Sequence, residues 1–318
     1  MTTSLPQQTL GVSGVHVSRI ALGCMGLAGT WDRNAVGPEN IRKAVASFEA
    51  ALEAGINFFD HADIYGDTAC ESVFKECLKA VPGSRDKIFI ATKVGIRRGY
   101  YEHDPNYIRE SIEGSLKRMG IEKVDLYQIH RPDPLSHPSA TAEVLDELVE
   151  RGLVGMIGVS NYHPHQTLAL QRFMRVPIIS NQIEISLLHL RSIYEGAEGN
   201  GGNGVLDQCM ELGITPLAYS PVGRGWLSGK REVPEDHSQK LIIEGVLKVM
   251  HDLSPLYNNA TPSQLAIAWL LKHPAGIVPL VGSNTPSHIQ EAANAANINL
   301  SRTDWYKLWV AGRGSSVP

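Results

Sequence analysis

A single rhythm constrains this chain more than any other feature. From Arg19 onward, short apolar runs alternate with amphipathic helical segments, and the alternation occurs eight times. The apolar runs are "RIALG", "INFFD", "KIFIATK", "KVDLYQIH", "LVGMIGVS", "VPIISNQ", "ITPLAYS" and "GIVPLVGS". Each is short enough for a strand and is bounded by turn residues. The segments between carry helix punctuation. In "PENIRKAVASFEAALEAG", Pro38 sits at the first position and Gly55 stops the helix, and Ile41, Val45, Phe48 and Leu52 predict one buried stripe. In "DPNYIRESIEGSLKRMG", Asp104 is the N-cap, Gly120 the stop, and Ile108, Ile112, Leu116 and Met119 the stripe. Ahead of the rhythm, "QQTLGVSGVHVSRI" predicts a hairpin turning at Ser13-Gly14.

Strands separated by helices must run parallel, because each crossover returns the chain to the same edge. An open doubly wound sheet would satisfy that rule. Eight units in about 290 residues fit a closed (β/α)8 TIM barrel better. No linker or shift in composition divides the chain, so a single barrel domain over residues 1–318, with an N-terminal hairpin and extra helices, is expected. The formal net charge of -4 gives no reason to expect nucleic acid or an anionic membrane as partner. No apolar run approaches the roughly 18 residues that a membrane span needs. The opening "MTTSLPQQTLGVSG" lacks the basic and apolar blocks of a secretory signal. Cys24, Cys70, Cys77 and Cys209 form no CxxC pair, which favours reduced thiols and a cytoplasmic setting.

In such barrels the chemistry gathers where the strands end. Strand two ends in Asp60, strand three in Lys93 and strand four in His130, and Tyr65 follows Asp60 in "FFDHADIYG". Taken singly, each is more often a loop anchor or a solvated group, and Asp60 with Lys93 is readable as a structural ion pair. Three ionisable groups at three successive strand ends favour a site. A free phenol with a pKa near 10 is a weak acid at neutral pH. An ammonium held by Asp60 is expected to lower the Tyr65 pKa, and His130 to hydrogen-bond the same substrate oxygen. Such a site protonates an oxygen while another group attacks its carbon.

No residue has the surroundings of an activated nucleophile, so the attacking group is expected from a cofactor. Ser160 and Asn161 end strand five, and Asn181 and Gln182 end strand six; their hydroxyl and amide groups suit a carboxamide. Tyr219, at the end of strand seven, offers a flat face for a ring. "SPVGRGWLSGK" and "VGSNTPSHI" follow strands seven and eight, where barrels often bind phosphate. Backbone amides at Gly223, Gly225 and the helix start near Pro286, with Lys230, are candidates for its oxygens.

Read together, these segments resemble the aldo-keto reductases over essentially the whole length. Asp60, Tyr65, Lys93 and His130 match that family's catalytic tetrad, in "FFDHADIYG", "ATK" and "IHRPDP". "GVSN", "NQIEIS", "AYSP" and "VGSNTP" match its cofactor-contact segments in the same order. "DHADIYG", "IHRPDPL" and the closing "VP" are most similar to the bacterial YdhF-like oxidoreductases. The resemblance implies a barrel that binds NADP(H) in extended form. It implies hydride transfer from nicotinamide to an aldehyde or ketone, with Tyr65 protonating the oxygen. It places Ser160, Asn161 and Gln182 at the carboxamide and Tyr219 on the nicotinamide ring. Ser220, Pro221, Val222, Gly225 and Lys230 fall at the pyrophosphate, and Ser283, His288 and Glu291 around the 2'-phosphate and adenine. Gly23, Cys24, Met25 and Asp60 complete the implied contacts.

Three positions depart from the pattern. Many relatives carry Lys before the serine and Arg where this chain has Gly282 and His288. An imidazole grips phosphate less firmly than a guanidinium fork, so NADPH is expected with NADH use possible. His61 replaces a commonly small or hydroxyl residue beside Asp60.

Other motifs fail their structural requirements. "GNGGNG", residues 199–204, spells a dinucleotide fingerprint but follows no apolar strand, so a mobile loop is expected. "GVSNY" lacks the second glycine of a nucleophile elbow. A metal at "DHAD" is disfavoured by the neighbouring Lys93. Two rival functions stand beside the reductase: a Schiff-base lyase using Lys93, and an NADP(H)-binding regulatory module with little turnover. Trp31, Tyr100, Arg131 and Trp226 are candidate walls of the carbonyl pocket. No motif specifies a particular substrate or an oligomeric state.

Overall fold

The computed structural model describes residues 5–193 and 203–316. The barrel strands are β1 (Ala21–Gly23), β2 (Phe58–Asp60), β3 (Phe89–Val94), β4 (Val124–Ile129), β5 (Val154–Ser160), β6 (Ile178–Glu184), β7 (Thr215–Tyr219) and β8 (Val278–Val281). Each pairs in parallel with the next, and β8 closes onto β1 with Leu280 opposite Ala21. The eightfold rhythm therefore folds as expected, into a closed (β/α)8 barrel.

Ten helices surround it among the described residues: α1 (Pro38–Glu53), α2 (Ala69–Ala80), α3 (Pro105–Met119), α4 (Pro138–Glu150), α5 (Pro164–Gln171), α6 (Val205–Leu212), α7 (Lys240–Leu253), α8 (Pro262–Leu271), α9 (Pro286–Asn294) and α10 (Arg302–Arg313). Their termini follow local chemistry. Asp104 accepts the amides of Asn106 and Tyr107 at the start of α3, and Gly120 ends that helix at φ 67°. In α1 the stripe differs from the expectation. Ala44, Ser47, Phe48 and Ala51 are buried, whereas Ile41, Val45 and Leu52 are only half-buried. Small residues let the helix approach the sheet closely, so the larger aliphatics move to its flanks. Phe48 meets Phe59 and Phe74 at centroid separations of 5.0 and 5.4 Å, joining α1 to β2 and α2. Each such ring stabilises by roughly 2–3 kcal/mol.

Inside the barrel, alternate residues of each strand point inward. Ala21, Phe58, Ala91, Leu126, Leu217 and Val278 form an apolar floor. The N-terminal hairpin (Gln7–Thr9 with His16–Ser18) seals it from below, with Leu10 and Val17 fully buried in the same cluster. Gly11 makes this closure possible. Its φ is 52°, and a Cβ would collide with the Ile179 carbonyl.

Two features lie outside the repeating units: a hairpin that no sequence signal predicts, and the expected extra helices. A small hairpin, Ile96–Arg97 with Tyr100–Tyr101, rises after β3. Helices α7 and α10 form an extra pair on the outside. Trp269 and Trp305 fix α10 to α8: their rings stack at 5.1 Å, and each indole N–H donates to the other's backbone carbonyl, at 3.2 and 3.0 Å.

Candidate active site

Continuing up the inward columns above the floor, apolar residues give way to polar ones. On β2 Phe58 is followed by Asp60, on β3 Ala91 by Lys93, and on β4 Leu126 by Gln128 and then His130. Lys93 lies at the centre and is fully buried. Its Nζ donates to Asp60 Oδ2 at 2.7 Å, to the His61 carbonyl at 2.7 Å and to Tyr65 Oη at 3.2 Å. The ammonium's three protons thus have three acceptors. Tyr65 reaches this point because the loop after β2 is pinned: the Asp63 amide donates to the Lys93 carbonyl, and that of Tyr65 to the Ala62 carbonyl.

Asp60 is held from the other side as well. Its Oδ1 accepts from the side-chain amides of Gln182, at 2.9 Å, and Gln128, at 3.2 Å. Sequence reasoning overlooked Gln128. The available signal was its inward parity with Leu126 and His130.

The electrostatics follow from this dry, crowded arrangement. Burial opposes the Lys93 charge, but Asp60 and Tyr65 outweigh it and hold the ammonium's pKa above its ordinary value. For Tyr65 the balance overturns the expectation. Burial penalises phenolate, Asp60 adds to that penalty, and the opposing pull of Lys93 does not compensate, so the phenol's pKa is raised. Burial and then the Lys93 and Arg131 charges depress His130 well below an ordinary imidazole, leaving it neutral. Its ring stands edge-on to Tyr65, with centroids 5.9 Å apart, and its Nδ1 has no partner.

His61 is separate from this cluster. It points outward from the strand end and packs its ring 4.3 Å from Phe74, with both nitrogens unpartnered; burial and then Lys93 lower its pKa to about 3. It is a neutral packing group. Among the described residues no cluster of His, Cys, Asp and Glu could hold a metal ion, including at "DHAD".

The cofactor candidates divide into three groups. At the rim, Asn161 adopts φ 60° and joins strands β4, β5 and β7: its Nδ2 donates to the His130 carbonyl and Ser160 Oγ, and its Oδ1 accepts from Tyr219 Oη at 2.9 Å. Ser160 Oγ donates to the Gln182 carbonyl. Gln182 directs its Nε2 into Asp60, so that nitrogen is committed within the site. Asn181 turns away and donates to the Tyr162 carbonyl.

The second group lies after β7 and β1. The Gly223 and Gly225 amides donate to the Ser220 and Val222 carbonyls. They close a tight turn with Ser220 at φ 54°, instead of pointing at a ligand as expected. Pro221 is buried and Val222 half-buried. Gly23 ends β1, Met25 is exposed, and Cys24 is fully buried with its thiol donating to the Leu22 carbonyl. Burial pushes that thiol's pKa well up, leaving it inert.

The third group lies after β8. Ser283 Oγ and His288 Nδ1 are 3.5 Å apart at the surface. Lys230 Nζ bonds Glu291 Oε2 at 3.1 Å, and Thr261 Oγ1 donates to Glu291 Oε1 at 2.6 Å. Most of the "GNGGNG" run lies outside the described residues; its last residue, Gly204, opens α6.

A cavity of about 360 Å³ lies beside the rim, between the Tyr100–Tyr101 hairpin and the loop after β4. Tyr100, His103, Asp133 and His137 line it, and none of Asp60, Tyr65, Lys93 or His130 does. It is therefore a neighbour of the site and not its catalytic pocket. Trp31 stands 60% exposed, and Trp226 stacks under Arg231 at 4.1 Å.

A sealed parallel barrel that concentrates an ammonium, a carboxylate, a phenol and an imidazole at its open end has the build of a barrel enzyme acting on a substrate oxygen. The aldo/keto reductase family matches residues 19–309, and the chain belongs to that family of oxidoreductases, whose general reaction is carbonyl reduction with a nicotinamide cofactor. It is 39% identical over 316 residues to a 6-dehydroglucose reductase of Novosphingobium aromaticivorans, covering 97% of this chain and 96% of the relative. It is 32% identical over 318 residues to the oxidoreductase YdhF of Escherichia coli, covering 98% of each. In fold it matches the aldo-keto reductase AKR11C1 of Bacillus halodurans, holo form, with a TM-score of 0.79 at 24% identity, covering 96% of both chains.

Proposed function

We propose that this protein reduces aldehydes or ketones to alcohols with NADPH, Tyr65 giving its proton to the carbonyl oxygen. One observation carries the reading: the buried Lys93 ammonium bridges Asp60 Oδ2 at 2.7 Å and Tyr65 Oη at 3.2 Å. The raised Tyr65 pKa keeps the phenol protonated at neutral pH. Lys93 then favours phenolate as the proton leaves, lowering the cost of transfer where it matters. Neutral His130 donates a hydrogen bond to the same oxygen and fixes the carbonyl's orientation.

The donor set suits the cofactor. The half-exposed Tyr219 ring offers a stacking face, and the Ser160–Asn161 pair, joined to it by the Tyr219–Asn161 hydrogen bond, offers hydroxyl and amide groups. Ser283, His288 and Lys230 gather polar and basic groups at the far end. NADPH, when bound, supplies the hydride. NADH is the weaker alternative. Four free, buried cysteines agree with a reducing cytoplasm. Two relatives are named 6-dehydroglucose reductase, which makes a sugar-derived aldehyde a first carbonyl to assay beside 4-nitrobenzaldehyde.

The test follows NADPH absorbance with each aldehyde. Wild-type protein is expected to turn over, and Tyr65→Phe to lose about 10²–10⁴-fold in kcat with cofactor affinity kept. Equal rates in the two proteins would exclude Tyr65 as the acid. Cofactor binding without wild-type turnover would favour the regulatory module, and a borohydride-trapped adduct at Lys93 the lyase.

A further inference from the structure

Asp60 carries more ligands than an ion pair requires. Lys93 takes Oδ2, while Oδ1 receives two amide N–H groups from β4 and β6, neither of which neighbours β2. Gln182 is fixed on β6 by the strand register, opposite Ser160. Gln128 comes from β4, where its Cα lies opposite Lys93 on one side and Gly158 on the other. Gly158 is what admits it. A Cβ there would overlap Ser180 Oγ and press on Gln128 Cγ. The missing side chain opens a lane across the interior, and Ser180 Oγ reaches Gln128 Oε1 at 3.5 Å.

We infer that Gln128 is a positioning residue: its amide locks the Asp60 carboxylate, so that Oδ2 faces Lys93 and the ammonium stays aimed at Tyr65. The inference rests on the reductase reading above. A carboxylate held by one amide and one ammonium retains freedom to turn about its Cβ–Cγ bond. Two amides on one oxygen remove that freedom without adding a second cation, which would compete with Lys93. Around Gln128 the charged or titratable groups are Asp60 on β2, Lys93 on β3 and His130 on its own strand. Strands β5 and β6 contribute Gly158, Ser180 and Gln182, all uncharged.

Two variants of the whole chain test this. Gln128→Leu keeps the bulk and removes the donor. Gln128→Glu keeps the shape but donates only when its carboxyl is protonated. With NADPH and 4-nitrobenzaldehyde, Gln128→Leu is expected to lower kcat about tenfold, leaving NADPH affinity by tryptophan fluorescence unchanged. Gln128→Glu is expected to lose a similar factor at pH 8 and to recover toward wild type as pH falls to 5.5. A readout independent of turnover is the urea midpoint: Gln128→Leu should lower it more in the Asp60 background than in Asp60→Asn, where the oxygen that accepts from Gln128 is uncharged.

Unchanged kcat in Gln128→Leu, a pH-independent loss in Gln128→Glu, or equal midpoint losses in both backgrounds would each overturn the inference. Absence of wild-type turnover with every carbonyl would instead overturn the reductase reading, and the urea coupling would then show the Gln128–Asp60 contact by itself.

Discussion

Replacing Lys93 by Met tests the centre of the site through stability alone. The two charges lie 2.7 Å apart with side-chain exposures of 0% and 3%. At an effective dielectric of about 20 their attraction is about 6 kcal/mol, set against several kcal/mol of desolvation for each ion. The net worth of the intact pair is therefore small, but breaking it is costly. Lys93→Met strands the Asp60 carboxylate in a dry interior with amide donors only, and the expected loss is about 3–5 kcal/mol. Asp60→Asn/Lys93→Met removes both charges together and should regain most of that loss. Because the Lys93 pKa is raised, its contribution is fully present below the unfolded value of 10.5 and disappears only as pH climbs through the higher folded value. Urea unfolding at pH 8 therefore samples the intact pair. With a slope of about 3 kcal/mol/M, the single variant's midpoint should fall by roughly 1 M, and the double variant's by much less. A double variant as unstable as Lys93→Met would refute the claim that stranded charge is the cause.

Two further predictions concern groups at the edges of the site. Asp63, which accepts from Tyr107 Oη at 3.1 Å and Ser111 Oγ at 3.0 Å, is pushed up to about 6 from 3.8, chiefly by burial. The folded state therefore holds a proton that the unfolded chain releases, and stability falls as pH rises from about 4 to 6, by about 3 kcal/mol. Asp63→Asn should raise the thermal midpoint above wild type at pH 8 and not at pH 4; equal midpoints at pH 8 would sink this account. His288→Arg should raise the NADPH/NADH ratio of kcat/KM roughly tenfold, since one charged hydrogen bond is worth about 1.5 kcal/mol. An unchanged ratio would remove residue 288 from the 2'-phosphate site.

The barrel was legible in the sequence because each of its eight strands was bounded by turn residues and the first crossover helices carried their own caps. Asp60, Lys93 and His130 were legible because a strand end is a position, and parity then aims the side chain. Gln128 was hidden because one amide inside an apolar strand matches no motif; only its contact with Asp60, two strands away, shows its role. The direction of the Tyr65 shift was hidden for another reason. A charge partner is readable from spacing, whereas the burial opposing it depends on everything packed around the loop. The same limit applies to Gly223 and Gly225, whose amides are consumed by a turn that composition cannot distinguish from a phosphate cradle. Helix α1 shows the converse error, in which large aliphatics drew the eye from the alanines that touch the sheet.

Leu10 and Val17 give the molecule a stopper, and that makes the chamber above it a cul-de-sac. Water, buffer and reactants share one doorway to the lysine at its heart. Proton exchange at that ammonium should therefore slow whenever a ligand stands in the doorway, with no lid or hinge required.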